Sequence, residues 1–200
     1  MTWGTGTLRI KNPTLAILII ISVGFASSCR CGKDELDKVK PFKPDDKYFK
    51  SALVTFHFRL ETSPVDVLDS LFNNLVNTYD LPVRAEGAKD GTYRGVSPYD
   101  AFDYRHEVKI KIKDGKIIQV EYNEVKRKGI GKREDIEYCD EMSISGTTPA
   151  FAYPAMEEDL LSFQDLMEVD GVSGATYSLY RFRFAVMVAL IQAYSSEKNR

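Results

Sequence analysis

Histidine is scarce in this 200-residue chain, which has two, His57 and His106, beside three cysteines and one tryptophan. A serine–histidine–acid hydrolase would have to draw its base from that pair, and neither stands in a recognisable nucleophile motif. Cys29 and Cys31 make one Cys-x-Cys pair with no second cluster, so no metal site is expected. Positive charge is not in excess either. The formal net charge is −2, whereas a general nucleic-acid binder needs surplus cations to displace phosphate counterions. Nucleic acid is therefore not an expected partner. No apolar run approaches the length of about 20 residues that a bilayer-spanning helix needs, and no internal repeat is present.

What is there begins with the N-terminus. Arg9 and Lys11 precede the apolar run Leu15 to Ile21, which continues through Ser22, Val23 and Gly24 to Phe25 and Ala26. A basic start, an apolar core of roughly 7–15 residues and then small residues describe an export signal. Ala26-Ser27-Ser28 directly before Cys29 resembles a bacterial lipobox, with Ala26 in place of the usual leucine. The resemblance implies that residues 1–28 are a lipoprotein signal peptide and that Cys29 receives the lipid. An uncleaved anchor helix or a plain signal peptide are the alternatives. Cys31 and Cys139 then lie where disulfides persist; spacing does not decide pairing, and a free buried thiol is the expectation for Cys139.

Residues 29–46 are charged, contain proline and carry few apolar side chains, as expected of a tether. Val54, Phe56, Phe58 and Leu60 alternate with Thr55, His57 and Arg59, which predicts a strand with His57 on its polar face. Ser63 and Pro64 read as the cap and first residue of a helix with Leu68, Leu71, Phe72, Leu75, Val76 and Tyr79 on one side. Residues 47–87 are thus expected to be a strand–helix elaboration. Val108, Ile110 and Ile112 alternate with lysines, Asp114-Gly115 supplies a two-residue turn, and Ile118, Val120 and Tyr122 continue the alternation. The prediction is an antiparallel hairpin.

Lys126-Arg127-Lys128 with Lys132 and Arg133 reads as a solvated loop, with attraction of a phosphate or acidic partner as the alternative. His106 reads as an exposed residue at the edge of the lysine-faced strand, with a pocket role as the alternative. A helix is predicted from Pro154 to Met167. Asp170-Gly171-Val172-Ser173-Gly174-Ala175-Thr176 then leads into a long apolar segment ending near Tyr194, which predicts a buried helix. A small-residue turn feeding a helix N-terminus suits an anion, because the first amides lack internal partners and the dipole is positive there. Thr176 offers a hydroxyl at that point. The competing reading is an ordinary capped turn.

Four features resemble the FMN-binding domain family, which includes the C subunit of the sodium-pumping NADH:quinone oxidoreductase, the G subunit of the Rnf complex and many exported lipoproteins. Asp90-Gly91-Thr92-Tyr93-Arg94-Gly95 resembles its opening Gly-x-Tyr-x-Gly, and the hairpin through Lys113-Asp114-Gly115-Lys116-Ile117 its central strand pair. Asp170 to Thr176 resembles its flavinylation motif, and the closing apolar helix is similarly placed. The resemblance spans residues 88–195 and implies FMN joined through its phosphate to the hydroxyl of Thr176 by a flavin transferase. It also implies that Asp170, Ser173, Gly174 and Ala175 are recognition positions. Tyr93 and Tyr177, and beyond them Phe151 and Tyr153, are candidates for packing on the flavin ring.

The expectation is an α+β domain, a twisted antiparallel sheet with packed helices, between the tether and a short tail (196–200). Its expected role is an extracytoplasmic electron carrier held to the bacterial membrane by a lipid anchor, between an unidentified electron donor and acceptor. A subunit binding FMN reversibly within a reductase system and a flavin-free lipoprotein that binds a ligand or partner are the alternatives.

Overall fold

The structure is a computed structural model that describes residues 47–195. The expected signal peptide, Cys29, the tether, Cys31 and the tail lie outside the described residues. Those described form α1 (Lys47–Thr62), α2 (Val65–Tyr79), β1 (Gly91–Val96), β2 (Tyr104–Lys113), β3 (Lys116–Lys126), α3 (Ile136–Ser143), α4 (Pro149–Phe163) and α5 (Thr176–Ser195). The strands make an antiparallel sheet in the order β1-β2-β3, so the fold is α+β as the sequence predicts.

The hairpin forms where the alternation and Asp114-Gly115 place it. Both turn residues take positive φ, 51° and 72°, the mirror-image geometry that matches the twist of the flanking strands. One detail departs from the alternation. A bulge between Lys111 and Ile112 pairs Ile112 with Ile117, so Ile117 turns inward and Ile118 is 47% exposed. A bulge adds one residue to one strand and reverses every facing beyond it.

The span read as a strand at 54–60 is helical. On a helix Phe56 and Leu60 are one turn apart and face the core, with His57 beside them buried as well, while Val54 and Phe58 point outward and are 60% and 67% exposed. Period 2 arises because two of the four apolar residues sit on the solvent side, where their type is unconstrained. The elaboration is therefore two helices. Pro64, not Ser63, is the N-cap of α2.

The fourth helix starts earlier than predicted, at Pro149 behind Thr148, and Pro154 lies inside it. Proline suits the first helical turn, and Thr148-Pro149 fills those positions; Pro154 forgoes one backbone donor within the helix. The helix ends at Phe163 rather than Met167, with Gln164 left-handed at φ 59°. Helix α3 was not expected from the sequence; Asp135 caps it by accepting from the Tyr138 amide at 3.2 Å.

Helix α5 packs on β1 and β2, α4 packs on β3, and α1 and α2 lie against α5. Phe182, Ala185, Val186, Met187, Ala189 and Leu190 are wholly buried, as the apolar segment predicts. Gly95 is where sheet and helix meet most closely: a Cβ there would collide with the Ala185 carbonyl. The domain thereby presents the N-terminus of its most buried helix at one edge.

Candidate functional site

The turn before α5 reverses at Gly174, with φ 84°, and the Ala175 amide donates to the Val172 carbonyl at 2.9 Å. Ala175 in turn accepts the first intrahelical bond, from Leu179 at 3.1 Å. The amides of Thr176, Tyr177 and Ser178 precede that bond and have no acceptor within the helix. A Cβ on Gly174 would strike the Ser145 carbonyl. Glycine thus lets the turn close against the end of α3.

An open pocket of about 490 Å³ lies over this helix start, within the roughly 300–1,000 Å³ typical of ligand sites. Thr176 lines it half-buried, with Gly174, Ala175 and Tyr177 beside it. Tyr138, Glu141 and Met142 of α3, Ser145, Val65, Ser178 and Arg181 complete the wall, which thus carries one carboxylate and one guanidinium. Of the residues singled out in the sequence, the structure therefore gathers Gly174, Ala175, Thr176 and Tyr177. Ser173 and Asp170 are exposed and lie outside the pocket lining, the Asp170 amide donating to Asp159 at 3.2 Å.

The other aromatic candidates lie outside the pocket lining. Tyr93 donates its hydroxyl to the Lys89 carbonyl at 3.0 Å, on the strand whose Gly95 meets the middle of α5. Phe151 is exposed, and Tyr153 is buried and donates to Glu124 at 2.9 Å. Sequence reasoning missed Tyr138 and Met142 because it missed α3, whose signals were Asp135 and the acidic Glu137 in the first turn.

Behind the pocket stands a buried charge cluster that the sequence reading did not foresee. His106 pairs across the sheet with Glu124 in the β2–β3 register. The Glu124 carboxylate, fully buried, accepts from Lys132 at 2.7 Å, Tyr153 at 2.9 Å, Ser178 at 3.1 Å, Tyr122 at 3.2 Å and Arg181 at 3.2 Å. Arg181 also binds both Glu61 oxygens, through Nε at 3.0 Å and through Nη2. Lys132 is thus buried rather than part of a solvated loop, and His57 and His106 are buried rather than exposed. One signal was available: Arg181 and Arg183 interrupt an otherwise apolar helix, and a charge on a buried helix requires a partner.

Burial alone would raise the pKa of Glu124, but Lys132, Arg181 and His106 outweigh it and hold the carboxyl well below its usual range. Burial likewise works against ionised Glu61, and the neighbouring His106 and Arg181 reverse it, bringing the pKa to about 2. His57 moves the other way, down to about 4, because burial and then His106 disfavour its cation more than Glu61 and Asp100 favour it. Cys139 is a free, half-buried thiol whose pKa burial raises.

Fold and site together define an α+β domain with a pocket at the start of its buried closing helix, backed by a carboxylate–guanidinium core. No family model matches the chain. The chain is 31% identical to the 15 kDa lipoprotein of Treponema pallidum over 112 residues, 55% of this chain and 79% of that protein. It also matches the crystal structure of the CPE2226 protein from Clostridium perfringens at 32% identity and a TM-score of 0.51, across 56% of this chain and 93% of that one. The chain belongs to the family of the Treponema pallidum 15 kDa lipoprotein. Among the described residues no helix is long and apolar enough to cross a membrane.

Proposed function

We propose that this protein is an exported, lipid-anchored electron carrier that holds FMN covalently through a phosphoester on Thr176. The observation that carries the reading is the position of Thr176. Its side chain lines a ligand-sized pocket at a helix start where three successive amides lack helical acceptors. Those amides and the helix dipole favour a phosphate. Gly174 keeps side-chain bulk from the turn, and Arg181, paired on its inner side with Glu61 and Glu124, reaches the pocket wall. Tyr138 and Tyr177 offer aromatic surface beside it.

FMN, when bound, supplies reversible one- and two-electron chemistry, so the protein's part is to orient it and set its electrostatics. No catalytic side chain is required for that. The lipid anchor is proposed at Cys29, after the export signal read in residues 1–28, and the lipoprotein name of the Treponema relative supports it.

Intact mass after co-expression with a flavin transferase tests the reading. The expected gain is one FMN less one water, abolished by Thr176→Ala. An unchanged mass, or a gain that survives the substitution, would overturn the covalent attachment. Colour released entirely into the filtrate on denaturation would instead indicate reversible binding.

A further inference from the structure

The two histidines, 49 positions apart in sequence, come together in the fold. His57 on α1 and His106 on β2 place their ring centroids 5.4 Å apart, and Glu61 follows His57 by one helical turn. One ligand atom from each of His57, Glu61 and His106 lies within 4.8 Å of the other two. We propose that these three side chains form a binding site for a divalent transition-metal ion of the zinc type.

Three observations carry the proposal. First, His57 Nε2 and both nitrogens of His106 are buried without a hydrogen-bond partner, and buried polar atoms are ordinarily paired. A bound ion would satisfy a lone pair on each ring. Second, two ligands each about 2.1 Å from a tetrahedral zinc stand about 3.4 Å apart, and His106 Nε2 is 3.4 Å from Glu61 Oε1. The His57 ligand atom lies within 4.8 Å of the other two, so it need close by at most roughly 1.4 Å to join them. Imidazole and carboxylate are zinc donors, and His-x-x-x-Glu on one helix puts both ligands on the same face.

Third, the surroundings accept a cation. Glu61, Glu124 and Asp100 face Arg181 and Lys132 beside the two imidazoles, so carboxylates outnumber the lysine and arginine cations three to two. Glu124 Oε2 stands 3.7 Å behind His106 Nδ1, as carboxylates commonly stand behind metal-bound imidazoles to orient them. Asp100 Oδ2 is a further buried acceptor without a hydrogen bond, 4.0 Å from Arg181. The absence of a second cysteine cluster had argued against a metal; the fold supplies a different donor set.

The site is independent of the flavin reading. It would tie α1 to the sheet, and Arg181 links it to the pocket wall because that guanidinium touches both Glu61 and Glu124.

The test uses the chain with Cys29→Ser and Cys31→Ser, which removes the N-terminal thiols. Because the sequence has two histidines, every imidazole ring signal in a proton NMR spectrum belongs to this site. One equivalent of zinc is expected to shift the ring signals of both, and competition with a chromophoric chelator should give one ion per chain. His57→Gln or His106→Gln should each weaken binding at least about tenfold, and Glu124→Gln by about tenfold. Ring signals unmoved by equimolar zinc, or an affinity unchanged in both histidine variants, would overturn the site. Should a variant fail to fold, the ring signals of the protein with both histidines decide.

Discussion

Lys132 Nζ lies 2.7 Å from Glu124 Oε2 with both side chains shut away from solvent, the lysine 4% and the glutamate 0% exposed. Removing one partner of such a pair leaves a charge without compensation. Lys132→Met is expected to destabilise the domain by about 3 kcal/mol, within the range for a broken buried pair. Glu124→Gln should cost at least as much, since it also disturbs the bonds from Arg181, Ser178 and two tyrosines. Urea unfolding followed by circular dichroism measures both. A loss below about 1 kcal/mol for either would place that pair in water rather than in the core.

Gly95→Ala tests the close approach of sheet and helix. The new methyl would meet the Ala185 carbonyl and, at 2.9 Å, the Ala189 amide nitrogen, both backbone atoms of a buried helix that cannot swing aside. The expected loss is about 2–3 kcal/mol, the upper part of the range for overpacking. The denaturation midpoint checks it, with Thr92→Ala on the exposed face of the same strand as a control expected to stay within about 0.5 kcal/mol.

How much of this was legible depended on whether a residue's local neighbours or its distant ones decide its role. The hairpin was legible because alternation and Asp114-Gly115 are local, and α5 because its apolar stripe is long. Helix α1 was not, because Val54 and Phe58 are apolar on a face that leaves them exposed, which imitates a strand's period. The pocket was half legible: Thr176 and its turn were in the sequence, while Tyr138 and Met142 belong to a short helix with a weak stripe. The charge cluster was illegible. Its members come from five places in the chain, Glu61, His106, Glu124, Lys132 and Arg181; Arg181 in an apolar helix signals that a partner is needed, but nothing next to the others says which residues supply it.

Asp135 makes stability depend on acidity. Its carboxylate accepts from Lys126 at 2.8 Å, Tyr104 at 2.9 Å and the Tyr138 amide, and the bonds from Lys126 and Tyr104 lower its pKa from 3.8 to about 2. A carboxyl whose folded pKa is depressed stabilises the fold above its unfolded pKa and loses that contribution as pH falls through the folded value. The urea midpoint should therefore drop between about pH 4 and pH 2 in the parent protein. In Asp135→Asn, which cannot ionise, that part of the slope should be missing. An unchanged slope would mean that the three bonds do not favour the ionised form.

Gly174 and Thr176 separate the shape of the pocket from the chemistry proposed for it. Thr176 is half-buried at the first position of α5, so Thr176→Ala should shift stability by less than about 1 kcal/mol, as for substitutions outside the core. It should nonetheless abolish the FMN mass gain completely, because no hydroxyl remains to esterify. Gly174→Ala keeps the hydroxyl but forces a side chain into φ 84° and against the Ser145 carbonyl. Relieving that contact must move the turn or α3, so the expectation is a loss of about 1–2 kcal/mol together with reduced flavin loading. The two variants should thus divide cleanly: one stable and colourless, the other less stable and partly coloured. Full loading in Gly174→Ala would show that the turn's closure against Ser145 is irrelevant to the flavin transferase, leaving the hydroxyl at the helix start as the sole requirement.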